Sequence, residues 1–329
     1  MKKAFSLLVI LTFVLSLAFF YKIFVYDYEQ ETTYPESVTV IIPPQMSAKA
    51  IGNLLKKAGV ISSQKLFYWS VRLRGIGNQL RSGEYYFPKV RSLDSILEKL
   101  IKGDIVYHRL TLAEGLTSRD IRILLQDEEK LQGNLPSILI EGTLLPETYT
   151  FFRGEIRQKL VLQMQEAMTK TLSDLWKRYK ETTPLKSKEE VLILASIVEK
   201  ETALERERPH IAAVFLNRLK KGMPLQTDPT VIYAVELIEQ KPFDRALTRE
   251  DLKVDSPYNT YLVKGLPPTP ICHPGRASLE AVLAPLESDD LFFVADGTGG
   301  HVFSKTYKEH AQNHVHWRKI KKMKKKPPS

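Results

Sequence analysis

The run EEVLILASIVEKETA (Glu189 to Ala203) is apolar on nearly every side up to Val198 and then turns abruptly charged. It reads as a helix buried in protein whose end could carry a working carboxyl group. Leu194, Val198 and Glu201 fall at i, i+4 and i+7, so Glu201 extends the buried stripe. Glu199 lies about 200° round the helix from Glu201, and the two carboxylates do not face each other as a catalytic pair. A carboxyl at the end of an apolar stripe loses hydration of its charged form. Its pKa rises, and it can hold a proton near neutrality, as a general acid must. The same residues also read as an ordinary solvated helix end.

Downstream, MPLQTDPTVIY sets Gln226, Thr227 and Asp228 immediately before Pro229, a residue suited to the first turn of a helix after an Asp cap. Polar groups clustered on a stiff turn suit sugar hydroxyls; equally, Asp228 is only an N-cap. SPYNTYLVKGLPP offers Asn259 with Tyr258 and Tyr261, aromatics that either stack on a pyranose face or pack. Other constellations fail. DGTGGH is not GxGxxG and leads into a strand, which disfavours a dinucleotide fold. His310, His314 and His316 lack HExxH and sit on a polar terminal segment. Ser278 is far from any GxSxG elbow. Cys272 adjoins His273, but neighbours in sequence rarely present their side chains to each other, and a bystander thiol is favoured. No metal and no cofactor is implied.

The elements that must position these residues are legible in outline. SVTVIIPP (Ser37 to Pro44) predicts a strand, Ser47 and Ser63 cap helices through about Ala58 and Leu73, GEYYF (Gly83 to Phe87) predicts a second strand, and Ser92 opens a further amphipathic helix. Strand, two helices and strand form a small α+β unit that resembles, in shape and order, a LysM-like glycan-binding module. A larger mixed α+β domain follows from about Ile105. It has a long helix near Ile156 to Tyr179, the buried helix near Ser187 to Thr202, the Pro-rich loop GLPPTPICHPG, and a hairpin in LFFVADGTGGHVFS.

The 329 residues, 43% hydrophobic, suffice for about two domains with real cores. The net charge is +10, but Arg318, Lys319, Lys321, Lys322, Lys324, Lys325 and Lys326 supply seven positives, leaving +3 elsewhere, so no basic nucleic-acid-binding face is indicated. The single cysteine excludes an intramolecular disulfide framework. Residues 4–21 carry no charge, follow Lys2 and Lys3, and precede the acidic residues Asp27, Glu29, Glu31 and Glu36. This predicts a single membrane anchor with a cytoplasmic N-terminus and an exported body; a cleaved signal peptide is the rival, and also exports the body. The expected division is a cytoplasmic start (1–3), an anchor (4–26), a linker (27–36), the LysM-like unit (37–104), the catalytic domain (105–317) and a basic tail (318–329).

ASIVEKETA, LNRLKKGMPLQTDPTVIYA, YNTYLVKGLPPTPI, HPGRASLEA and FVADGTGGHVF occur in this order and together resemble the endolytic murein transglycosylase, or YceG-like, family. The resemblance is strong over about Glu141 to His310. It implies a lyase that cleaves the β-1,4 bond between N-acetylmuramic acid and N-acetylglucosamine in nascent peptidoglycan, leaving 1,6-anhydromuramoyl ends. It further implies that Glu201, the second glutamate of EKET, is the catalytic residue, that Gln226, Thr227, Asp228, Asn259 and Tyr261 line the glycan groove, and that peptidoglycan synthases are partners at the plasma membrane. Such a reaction needs one protein carboxyl, whereas an ordinary glycoside hydrolase needs a second one roughly 5 to 9.5 Å away. EGTLLPETY departs from the family pattern, and the tail KKMKKKPPS has no counterpart in it. A catalytically inactive peptidoglycan-binding scaffold for wall synthases is the alternative reading, which the intact EKET disfavours. An older family label, a pyridoxal-phosphate-dependent lyase, is disfavoured because an exported chain has no ready supply of a cytoplasmic substrate.

Overall fold

The computed structural model describes residues 2–21 and 27–324. Residues 1 and 22–26 of the expected N-terminus and anchor, and 325–329 of the basic tail, lie outside the described residues. Helix α1 spans Lys2–Tyr21. Among the described residues no helix is long and apolar enough to cross a membrane.

The fold is mixed α+β and divides into two compact units. The first comprises residues 1–109 and 150–155. After α1 it contains α2 (Asp27–Glu29), β1 (Thr32–Thr33), β2 (Val38–Ile42), α3 (Ala48–Lys57), α4 (Gln64–Leu73), β3 (Gly83–Phe87), β4 (Val90–Arg91) and α5 (Leu93–Lys102). The order strand, helix, helix, strand is the expected one, with β2 and β3 antiparallel and Val38 opposite Phe87. Ser47, Ser63 and Ser92 accept the backbone N–H of Ala50, Leu66 and Ser95, so each predicted cap is made. Alternation on the strands sends Val40, Ile42, Tyr85 and Phe87 inward against Leu55, Phe67, Ile96 and Leu100. No residue pattern announces Arg91, which is buried and donates to the carbonyls of Val60 (3.0 Å), Gly59 (2.7 Å) and Glu36 (3.3 Å). Of these, the bond to Val60 O is buried, where an unpaired carbonyl would be costly.

β5 (Tyr107–Thr111) and β6 (Thr148–Phe152) form a two-stranded sheet. The second unit, residues 110–149 and 156–329, holds α6 (Ser118–Asp127), α7 (Arg157–Tyr179), α8 (Lys188–Glu201), α9 (Arg208–Lys220), α10 (Asp228–Glu239), α11 (Arg276–Leu283), the antiparallel hairpin β7 (Phe292–Ala295) and β8 (His301–Ser304), and α12 (Tyr307–Lys324). Its core is built round α8. Of the eight residues from Val191 to Val198, all but half-buried Leu192 are buried, enclosed by α7, α9, α10 and α11. Ser196 returns its hydroxyl to Ile193 O (2.7 Å) and accepts from Ile271 N (3.0 Å), which fastens the Pro-rich loop to the helix. α12 replaces the polar terminal segment read from the sequence. It packs on β7 and β8, so its histidines belong to the fold.

Candidate functional site

Glu201 is the last residue of α8. Beyond it Thr202 is extended, and the chain turns through a 3-10 segment at Glu205–Glu207 into α9. The carboxyl is therefore delivered where the buried helix meets an open cleft. That cleft, of about 340 Å³, is lined by Glu201, Arg218, Gln226, Asp228, Tyr261 and Phe292, with Tyr307, His310 and His314 of α12 along one side.

Thr227 is buried, and its hydroxyl donates to Glu201 Oε2 at 2.6 Å. This decides a detail of the next helix. Thr227, not Asp228, holds the N-cap position of α10; its side chain makes no cap bond, and its hydroxyl is directed to Glu201. Asp228 thus falls inside the first turn, exposed to the cleft, where Tyr261 Oη donates to its Oδ1 at 2.6 Å. The loop holding these groups is pinned from below. Gln226 N donates to Thr260 O (3.1 Å), Thr227 N donates to Thr260 Oγ1 (3.1 Å), and Thr260 Oγ1 shares a hydrogen bond with Thr230 Oγ1 (2.8 Å). Gln226 adopts φ +49°, a left-handed conformation unfavourable for a residue with a Cβ, at the cleft itself.

Asn259 does not line the cleft. It is fully buried, donates to Leu252 O (3.1 Å) and Val254 O (2.8 Å), and accepts from Tyr261 N (3.0 Å). All of its hydrogen-bonding capacity shapes the loop that carries Tyr261. Of the residues expected at the groove, Glu201, Gln226, Asp228 and Tyr261 are brought together on its surface. Thr227 stands behind Glu201, and Asn259 lies deeper.

Burial pushes the Glu201 carboxyl above the ordinary glutamate range. The Thr227 hydroxyl opposes this, the negative charge of Asp228 adds to it, and His301 and Arg218 pull down. Glu199, on the far side of the helix as the periodicity requires, is engaged otherwise. Arg208 Nη2 donates to its Oε1 at 2.9 Å, and Gly275 N, at the start of α11, donates to its Oε2 at 2.9 Å. A Cβ at Gly275 would collide with the neighbouring Glu114 carboxylate, which also accepts from Arg208 (3.1 Å).

Sequence reasoning missed Arg218. It is buried, donates through Nε to Leu291 O (2.7 Å) and through Nη1 to Leu225 O (2.7 Å), and lies over Phe292. The signal was available: Ile211, Val214, Phe215 and Arg218 form an i, i+3, i+4, i+7 stripe on α9 that ends in a charge, as the stripe on α8 ends in Glu201. His310 stacks on Phe292 (5.1 Å between centroids), and burial, with His314 and Arg218 close by, pulls its pKa down.

The YceG-like family profile matches residues 40–316, which include every residue of this cleft. The chain belongs to the YceG-like family. An endolytic murein transglycosylase of Bacillus subtilis (strain 168) is 35% identical over 305 residues, covering 83% of this chain and 83% of that protein. One of Streptococcus pneumoniae serotype 2 (strain D39 / NCTC 7466) is 30% identical over 323 residues; the match covers 84% of this chain and 57% of that longer relative. The crystal structure of a yceG-like protein from Listeria monocytogenes superimposes with a TM-score of 0.53 at 33% identity, covering 84% of this chain and 98% of that one.

Within this YceG-like chain the Cys272–His273 pair is structural. Cys272 is buried, directs its thiol to Ser196 O (3.3 Å), and is pushed well up by burial. His273 is also buried. Its Nδ1 accepts from Leu144 N (3.0 Å), so the ring proton is on Nε2, facing Ser118 Oγ (3.0 Å) and Glu141 Oε2 (3.5 Å). That tautomer cannot take a proton from Ser118, and the trio is no nucleophilic triad. Burial lowers His273 to about 4 and raises Glu141 to about 7. Both are neutral over much of the range between.

Two outcomes follow from this geometry. Thr227→Val removes the donor that holds Glu201 down, so the ionisation of Glu201 moves to higher pH. Carboxyl carbon NMR, with Glu201→Gln to identify the resonance, reads this directly; an unmoved or lowered midpoint means the hydroxyl does not donate. Glu141 binds its proton more tightly folded than unfolded, so its contribution to stability is present below its unfolded pKa of about 4.5 and is lost as pH rises through about 7. Glu141→Gln is therefore expected to be more destabilising at pH 4.5 than at pH 7.5 by about 3 kcal/mol, measured by urea unfolding of both proteins.

Proposed function

We propose that this chain is an endolytic murein transglycosylase in which Glu201 is both acid and base. The observation that carries the reading is a carboxyl held above its ordinary pKa at the mouth of a buried helix, facing an open polar cleft. Protonated Glu201 gives its proton to the glycosidic oxygen between N-acetylmuramic acid and N-acetylglucosamine as the C1–O bond breaks. The resulting carboxylate takes the proton of the muramoyl C6 hydroxyl, whose oxygen closes on C1. No water is consumed, and the product ends in a 1,6-anhydro sugar.

Thr227 fixes the rotamer of the acid and stabilises its anion, so it assists the first half of the cycle, in which Glu201 gives up its proton. Asp228, oriented by Tyr261, places negative charge beside the positive charge that develops at C1. Gln226 and Tyr261 contact sugar hydroxyls, and Asn259 positions Tyr261 from below. Asp228 in the same cleft also gives a hydrolase a candidate second carboxylate; the bacillary and pneumococcal relatives named as transglycosylases favour the lytic route. A scaffold without activity would have no use for a carboxyl biased to retain its proton.

The cellular setting is part of the proposal. A helix of 20 residues is about 30 Å long, matching a hydrocarbon core, and Lys2 and Lys3 favour a cytoplasmic start. The strand, helix, helix, strand order of the first unit supports a LysM-like module that holds glycan. Peptidoglycan is then the polymer met outside the membrane, with its synthases as partners.

The deciding experiment is mass spectrometry of uncrosslinked glycan strands incubated with the protein and with Glu201→Gln. Anhydro ends, lighter by one water than reducing ends, are expected with the wild type, and the variant should be slower by at least about 10²-fold. Reducing ends would replace this mechanism by hydrolysis, and unchanged activity in the variant would remove Glu201 from its role.

A further inference from the structure

We infer that the outward face of α4 is a bilayer-contact surface, seated on the interfacial layer of the membrane from which the chain emerges. This rests on the membrane anchor proposed above. Lys65, Tyr68, Trp69, Arg72 and Leu73 fall at i, i+3, i+4, i+7 and i+8 and form one stripe, while Phe67, Ser70 and Val71 of the same helix are buried in the unit's core. Trp69 is 48% exposed and Leu73 57%, although both are large and apolar. The stripe is ordered by its own contacts. Arg72 Nη1 donates to Tyr68 Oη at 3.1 Å, its guanidinium lies 5.9 Å from the Trp69 ring, and the Tyr68 and Trp69 rings meet edge to face at 5.7 Å.

Two observations choose the occupant. First, the chain that leaves α1 is fastened to this end of the unit. Tyr28 is buried in the unit's core beneath the Arg74 guanidinium, 3.8 Å from its ring centroid, and Arg74 directly follows the last residue of α4. Six residues lie between Tyr21 and Tyr28, so the seven steps from one to the other reach at most about 25 Å, and α4 itself is about 15 Å long. The stripe is thus leashed to the place where the chain enters the bilayer. Second, its chemistry suits that layer. Tyr and Trp prefer the membrane interface, Leu73 offers a short apolar insertion, and Lys65 and Arg72 can keep their charges among lipid phosphates while their stems lie on apolar surface. α4 carries no acidic residue; the acid nearest its end is Asp94, which pairs with Arg74 at 3.4 Å. A membrane bearing anionic phospholipid is the complementary partner. The contact would hold the first unit at a fixed height above the bilayer, where newly exported glycan is met.

The test uses the full chain reconstituted into vesicles of neutral phospholipid, or of neutral with anionic phospholipid, carrying lipids brominated near the head-group end of the acyl chains. Tryptophan emission is compared between the wild type and Trp69→Phe. A larger fractional loss in the wild type, greater with anionic lipid and reduced by Arg72→Glu, supports the proposal; Arg72→Glu leaves the cleft untouched. Equal losses from wild type and Trp69→Phe, with the protein co-sedimenting with the vesicles, overturn the surface while leaving the anchor standing. Failure to co-sediment overturns the anchor and the surface with it. A Trp69 response to soluble glycan strands without lipid, and none to brominated lipid, assigns the stripe to glycan instead.

Discussion

The cleft depends on one hydrogen bond made under one constraint: Thr227 donates to Glu201 at a position where the carboxyl has lost most of its water. The bond fixes the direction of the carboxyl and, by favouring its anion, offsets part of the burial penalty that raises its pKa. The Thr227 side chain makes no cap bond to α10. A threonine at an N-cap ordinarily accepts from its own helix, and forgoing that bond costs about 0.5–2 kcal/mol. Pro229 in the first turn limits the loss, because it has no N–H to satisfy and a φ already set for a helix. The Thr260 contacts to Gln226, Thr227 and Thr230 hold the loop in the strained conformation that aims the hydroxyl. Local stability is thus traded for a fixed direction at the acid.

The same logic extends to the charge facing it. α8 and α9 pack together, and each carries an apolar stripe that ends in an ionisable group, Glu201 on one and Arg218 on the other. Buried Arg218 spends two of its nitrogens on the carbonyls of Leu291 and Leu225, so it braces the start of β7 and the loop before α10 as well as charging the cleft. Its pull on Glu201 opposes that of Asp228. The acid is therefore balanced between a cation on one helix and an anion on the next. A substitution at either partner moves the pKa of Glu201.

Much of this was legible in the residues. The serines at 47, 63 and 92 announced helix starts because a cap is a local device that needs only the next three residues. Glu201 was legible because helical periodicity is local as well. What failed to read was decided at long range. Asn259 has the composition of a sugar ligand, but its partners, Leu252 and Val254, are backbone carbonyls, which no side-chain pattern reveals. Asp228 looked like the cap of α10 until the demand of Glu201, 26 positions upstream of Thr227, reset the helix start by one residue. The histidines of α12 read as a polar tail, since their face is made by β7 and β8 rather than by the helix's own periodicity.

Glu199 and Glu201, two residues apart, show how one turn of helix assigns opposite duties to the same functional group. Burial pushes both carboxyls up. Glu199 is then compensated by a guanidinium and by a backbone N–H at the start of α11, partners that favour the anion and fix it as a strut between helices. Glu201 receives one neutral hydroxyl and has a carboxylate for a neighbour, and the pull of His301 and Arg218 leaves its pKa still above the ordinary range. A group in that condition gives up a proton late and takes one back readily. The intervening Lys200 turns its ammonium away to Gly115 O (3.2 Å), which keeps a cation off the acid. The EKET sequence therefore works by separation: its two acids project to opposite sides of the helix, and the folded environment gives them different chemistry.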